Sequence, residues 1–212
     1  MPIAVLTLPG VIRVGAAVRQ DSLLAWPDLA RTLPLVALAL PWTGHAQTRS
    51  RGTICGSIAH ADPSAELPLV LQALGGEVHL RSASRRRRVA AKDFFAGMMA
   101  TARADDELIE AVAFPISRQR CAFREVARRH GDFAIVACAA VKTPEGVRLA
   151  IGGVADMPVA RDFPPLGGSA LDDALNGFAY ELDARDDVHA TARYRRDLVR
   201  MIGRDLVQEV LR

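Results

Sequence analysis

Cysteine is scarce in this chain of 212 residues, with only Cys55, Cys121 and Cys138 and no C-x-x-C spacing among them. So few, so scattered, they exclude a disulfide framework and a set of iron–sulfur ligands; free thiols in a reducing compartment, the cytoplasm by default, fit better. The five histidines, His45, His60, His79, His130 and His189, are too dispersed for metal-ligand spacing. Long apolar runs are also missing. Leu33–Leu40 carries Pro34 and stops at Pro41, well short of the roughly 20 residues that span a bilayer. Met1–Leu8 lacks a basic leader and is broken by Pro9-Gly10, so it makes a poor signal peptide. Charge of one sign is not in excess: 27 Lys and Arg face 24 Asp and Glu, and the net +3 is spread along the chain. Composition therefore points to neither nucleic acid nor membrane as a partner. No repeat or low-complexity stretch stands out.

What is present is an ordinary globular composition, half hydrophobic, long enough for one large or two small domains. Val11–Val18 reads as a strand, followed by helices over Leu23–Leu29 and Leu33–Leu40. A glycine-bearing loop is expected over Thr43–Ser57, with polar residues continuing to Glu66. Leu67–Leu74 has the apolar density of a buried helix, stopped by Gly75-Gly76. Val78 and Leu80 alternate within a strand at Glu77–Arg81. The four arginines at 85–88 are expected at a solvated hairpin tip, and Glu107–Phe114 is a further strand. A domain boundary is placed after Pro115, giving 1–115 and 116–212. Beyond it, Ala134–Val141 and Val147–Val154 flank a hairpin signal at Thr143–Gly146, and Asp156–Gly168 reads as a loop. Tyr194, Leu198, Ile202, Leu206 and Val210 recur at helical spacing. The fold class is α+β.

Two segments carry candidate chemistry. Around Thr53, Cys55, Gly56 and Ser57, small residues and hydroxyls flank a short apolar pair. Glycine permits close backbone approach, and consecutive free N–H groups can cradle a phosphate or a ring edge; a tight loop between buried elements is the plainer alternative. Just downstream, Asp62 and Glu66 precede an apolar helix. They can accept hydrogen bonds from ligand hydroxyls, or Asp62 and Ser64 can serve as helix caps with Glu66 in the first turn. Local chemistry does not separate these readings.

The segment Arg51–Pro68, RGTICGSIAHADPSAELP, resembles the second FAD-binding motif of the flavin (medium) subunit of molybdenum hydroxylases, the xanthine dehydrogenase and carbon monoxide dehydrogenase family. Asp93-Phe94-Phe95 with Gly97, then Asp106-Glu107-Leu108 leading to Phe114-Pro115, add to the likeness. Ala122–Ala134, AFREVARRHGDFA, resembles the start of that family's C-terminal domain. The resemblance runs from about Val11 to the end of the chain. It implies an α+β FAD-binding domain of the PCMH type at 1–115, and a small C-terminal domain with a three-stranded antiparallel sheet and helices at 116–212. It also implies an oxidoreductase subunit that is inactive alone. Substrate is hydroxylated at molybdopterin in a large subunit, electrons cross two [2Fe–2S] clusters in a small subunit, and FAD in this one hands them to an external acceptor. The partners form a heterotrimer that pairs again.

By the same resemblance, Thr53, Gly56 and Ser57 line the flavin and diphosphate, and Asp62 or Glu66 reaches the ribityl chain or sugar. Ile109 matches an apolar position packed on the cofactor, and Arg124 a basic one beside it. Two departures stand out. Cys55 occupies the place of the motif's first glycine, where a thiol is either packed and inert or redox-active. The family's first motif, a glycine-rich diphosphate loop expected upstream of Val11, is not found in the ten residues before that strand, so the chain is expected to be truncated relative to the family. The contrasting expectations are an assembly or remnant subunit that has lost FAD, and a stand-alone flavoenzyme of the cell-wall reductase type. The match through the C-terminal segment disfavours the latter.

Overall fold

A computed structural model describes residues 5–212; Met1 to Ala4, the start of the Met1–Leu8 stretch, lie outside the described residues. The first part of the chain runs β1 (Val5–Leu8), β2 (Val11–Gly15), α1 (Gln20–Leu24), α2 (Leu29–Thr32) and α3 (Pro34–Ala39), then a 3₁₀ turn at Leu40–Trp42. It continues with α4 (Ala46–Arg51), α5 (Ile54–His60), α6 (Glu66–Leu74), β3 (Glu77–Arg81) and β4 (Arg86–Ala90). Next come α7 (Ala91–Phe94), the small hairpin β5 (Phe95–Gly97) and β6 (Ala100–Thr101), and β7 (Leu108–Pro115). The remainder is β8 (Cys121–Val126), β9 (Val136–Thr143), β10 (Gly146–Gly152), β11 (Val159–Phe163), α8 (Gly168–Glu181) and α9 (Ala192–Leu211).

Among the described residues two larger antiparallel sheets result, beside the two-stranded β5–β6 hairpin. The first has the order β1-β2-β7-β3-β4 and the second β11-β10-β9-β8. In the first sheet, alternation sends Ile12, Val14, Val78, Leu80, Val112 and Phe114 to one buried face, as a period of two requires. α6 has too many apolar positions for one face, and it is buried nearly all round, because it packs on β9 and β10 as well as on α3, α5 and β7. The second sheet is likewise covered twice, by α6 on one side and α9 on the other, which is why β9 reads as an unbroken apolar run. α9 presents the expected stripe, with Leu198, Ile202, Leu206 and Val210 buried against that sheet and Tyr194 at its exposed end.

The α+β class and the C-terminal antiparallel sheet with helices stand. That sheet has four strands rather than three. The additional one, β11, lies inside the segment read as a loop, bracketed by Pro158 and Pro164. Proline cannot donate to a ladder, so its density argued for a loop; an edge strand between two prolines escapes the objection. Of the arginine run, Arg85 ends the turn at Ser82–Arg85, while Arg86 to Arg88 are strand. Its charge is matched across the sheet: Arg85 and Arg87 bind Glu107, and Arg86 pairs with Glu110. Ion pairing holds the Glu107 carboxyl down at about 2, the hydrogen bond from Arg87 being the main cause. No described helix is long and apolar enough to cross a membrane.

Candidate functional site

The segment expected to be a loop at Thr43–Ser57 is mostly helical. Thr53, in extended conformation, is the N-cap of α5, and its Oγ1 accepts a hydrogen bond from the Gly56 amide at 2.9 Å. Ile54, Cys55 and Ile58 are the buried face of that helix, a helical spacing that the glycine and hydroxyl content had masked. The Thr53 hydroxyl is thus committed to the backbone. Cys55 turns inward, its Sγ 3.7 Å from the Val14 carbonyl oxygen. Burial pushes its thiol up to about 12, so it carries no thiolate at neutral pH and is inert packing.

Beyond α5 the chain makes a left-handed exit at Ala61 and a tight turn in which Asp62 Oδ1 accepts from the Ser64 amide at 2.8 Å. Neither Asp62 nor Ser64 caps α6; its N-cap is Ala65, with no side-chain cap bond. Glu66 opens α6 and is buried.

These residues form one wall of a cleft of about 1160 Å³ between the first part of the chain and the second sheet's loops. Gly56, Ser57, His60, Asp62 and Glu66 line it, joined by Gln20, Thr43 and His45. The opposite wall comes from Arg128–Ile135 (His130 apart), Gly153–Asp156 and Arg185–Asp187. The walls are clasped at one end: the His130 ring lies on Trp42 with centroids 4.7 Å apart, and Gly131 (φ +88°) presses on His45. A Cβ at Gly131 would sit 2.7 Å from that imidazole, so both the space and the left-handed backbone require glycine there. Arg49 fixes the near wall by donating to the carbonyls of Thr43 and Gly44 at 3.0 and 2.7 Å.

Two features make the cleft suited to a ligand that is part polar, part flat and apolar. Gln20 (4% exposed) and Thr43 (7%) line it, and among the described residues Gln20 Oε1 and Thr43 Oγ1 have no hydrogen-bond partner. Buried polar atoms without partners are costly, and a ligand's hydroxyls or amides would satisfy them. Met98 and Phe133 also line the cleft and are the reverse, large apolar side chains 60% and 72% exposed. Burial raises the Glu66 pKa, and the nearby Asp62 adds to the effect. Outside the cleft lining, Glu125 on β8 is buried with neither oxygen bonded among the described residues, and burial together with Glu66 pushes it up to about 8.

Of the residues singled out in the sequence, Gly56, Ser57, Asp62 and Glu66 meet on the cleft, while Thr53, Cys55, Ile109 and Arg124 do not line it. Ile109 is buried in β7 opposite Leu80, within the core. Arg124 lies against α9, bonded to Glu209 at 2.9 Å and near Asp205. A basic residue in a β-strand points to one face only, and alternation sends this one away from α6. Sequence reasoning missed Gln20, Thr43 and Arg195. None belongs to a local motif, and only a polar residue amid apolar helices hinted at the first two.

Residues 6–117 match the family model described as the FAD binding domain in molybdopterin dehydrogenase. The nicotine 6-hydroxylase medium subunit of Paenarthrobacter nicotinovorans is 36% identical, the alignment covering 93% of this chain and 74% of that protein. The glyceraldehyde dehydrogenase medium chain of Sulfolobus acidocaldarius is 31% identical, over 94% of this chain and 75% of that one. Among solved structures, quinoline 2-oxidoreductase from Pseudomonas putida 86 superposes with a TM-score of 0.90 at 29% identity, covering 98% of this chain and 77% of the other.

Proposed function

The chain belongs to the medium-subunit family that carries the FAD-binding domain of molybdopterin dehydrogenases, and from that premise we propose that it is the electron-transfer subunit of a molybdenum hydroxylase. In this reading it receives reducing equivalents from [2Fe–2S] clusters of a small partner subunit and delivers them to an external acceptor, while a large molybdopterin subunit oxidises the substrate. When bound, FAD supplies the redox chemistry; the protein's part is to hold it, orient it and exclude side reactions.

The observation that carries the reading is the cleft, where unpartnered buried polar atoms and exposed apolar side chains meet in a space sized for a large cofactor. Gly56 and Ser57 would admit the ligand close to the backbone. Gln20 and Thr43 would bond its polar groups, and Asp62 and Glu66 would accept from its hydroxyls. Phe133 and Met98 would cover a ring and keep water from it. Thr53 contributes indirectly by fixing the first turn of α5. We read 1–115 as the FAD-binding domain and 116–212 as the C-terminal domain that closes the cleft. The assembly is a heterotrimer that pairs by two-fold symmetry, as oligomers commonly do, and free cysteines suit the cytoplasm.

The test is reconstitution with a large molybdenum subunit and a small iron–sulfur subunit. Turnover with the physiological acceptor should collapse when this chain is left out, while an artificial acceptor that draws on the clusters directly should still support it. Unchanged turnover with the physiological acceptor in its absence would refute the electron-transfer role.

A further inference from the structure

Arg195 is 5% exposed, in the first turn of α9, and an arginine so buried must spend its donors on the protein. Its Nη1 donates to the Ile135 carbonyl at 2.6 Å and the Gly153 carbonyl at 2.5 Å, and its Nη2 to Asp187 Oδ2 at 2.5 Å. Those three acceptors belong to three separate loops: the entry to β9, the exit from β10 and the link between α8 and α9. All three residues, and Arg195 itself, line the cleft. The guanidinium fork therefore ties the entire C-terminal wall together at one point.

The tie reaches across the cleft. The Gly153 amide donates to the Pro63 carbonyl at 2.7 Å, and Pro63 lies between Asp62 and Ser64, in the turn that leads to Glu66. Gly153 adopts φ +79°, and a Cβ there would stand 2.8 Å from the Ala134 carbonyl oxygen; only glycine gives this backbone without strain. Asp187 is itself preset. Its Oδ1 accepts from the amides of His189 and Ala190 at 2.8 and 2.9 Å, leaving Oδ2 for Arg195. Burial works against its ionisation, but these bonds outweigh it and hold the carboxyl below its usual range.

We infer that Arg195 is a positioning residue for the cofactor cleft, setting through Gly153 and Pro63 the distance between the C-terminal wall and the Asp62–Glu66 segment. The inference rests on the proposal that this cleft holds FAD. Lysine at 195 keeps the charge beside Asp187 but offers a single compact ammonium in place of a fork, so it cannot serve both carbonyls and the carboxylate in the same geometry. Methionine removes both and leaves Asp187 unpaired.

The experiment compares the full chain with its Arg195→Lys and Arg195→Met variants, by amide hydrogen exchange without flavin and by titration with FAD. Exchange is expected to accelerate at Gly153 and across 62–66 while β9 and β10 stay protected. FAD affinity is expected to fall at least tenfold, and the visible circular dichroism of the bound flavin to change. Arg195→Lys guards against simple unfolding, because it retains a cation beside Asp187. Faster exchange with unchanged FAD affinity and dichroism overturns the inference, and so does a loss of protection spread evenly over the second sheet, which marks a residue of the fold alone. If the unaltered chain takes up no FAD, the cleft reading fails. The exchange arm still decides: acceleration confined to Gly153 and 62–66 upholds Arg195 as the tie between the walls, and its absence overturns it.

Discussion

Glu125 is the residue whose environment departs furthest from what its chemistry prefers. It lies in β8 with 8% of its surface exposed, both carboxylate oxygens lack partners among the described residues, and a second buried carboxyl, Glu66, acts on it. A carboxyl in that position keeps its proton, as its shift to about 8 expresses. The linkage sign follows. The folded state holds the proton more tightly than the unfolded chain, so the contribution is complete below the ordinary value of 4.5 and is lost as pH rises through about 8. Glu125→Gln carries no ionisable proton and escapes that loss. Denaturation of the two proteins from pH 4.5 to 9 should show a stability gap that opens in the variant's favour toward alkaline pH. A gap that is constant with pH would show that Glu125 does not titrate as described. The thiols teach the same lesson in milder form, since Cys55 and Cys121 are pushed up to about 12 and about 11 by burial. Both are packing atoms at neutral pH.

At the scale of the element, α5 shows how a cap shapes the near wall. Seven residues make a short helix that would be marginal alone. The Thr53 bond to the Gly56 amide secures its first turn, and the Ile54, Cys55 and Ile58 face anchors it to the core. Thr53→Ala should cost about 1 kcal/mol, the usual worth of an N-cap, whereas Thr53→Ser should cost much less because the hydroxyl remains. Equal melting temperatures for Thr53→Ala and the unaltered chain would contradict the cap. The elements that sequence patterning showed well were those with one unopposed signal: apolar density at α3, α6 and the β9–β10 hairpin, and a clear period at β3 and α9. It faltered where two signals competed. Gly52, Gly56 and the hydroxyls around them argued for a loop, and an apolar spacing of one and four residues argued for α5. Prolines at 158 and 164 concealed β11, and a run of four arginines looked like a solvated tip until Glu107 and Glu110, some twenty residues on, came to lie beside it.

For the molecule as a whole, the arrangement is two antiparallel sheets sharing α6, with the cleft formed where the loops of the second sheet return to the helices of the first part. Part of one wall of the cleft was legible in one contiguous stretch, because Gly56, Ser57, Asp62 and Glu66 lie within eleven residues of each other. The rest was not. Gln20, Thr43, Phe133, Gly153 and Arg195 are spread over most of the chain, and only the packing of α6 against both sheets brings them to one place. The same topology explains why Ile109 and Arg124, expected beside the cofactor, do not line the cleft: strand alternation commits each to a face already filled, by the core in one case and by α9 in the other. The account's central claim is that this cleft holds FAD, and a fluorescence titration of the full chain with FAD, alongside Ser57→Trp, tests it most directly. Ser57 lines the cleft without taking part in the Thr53 cap, so a bulky side chain there should fill the space and leave the fold intact. The expected result is one FAD bound per unaltered chain and none retained by the variant at an unchanged melting temperature. Equal FAD binding by both proteins would contradict the claim.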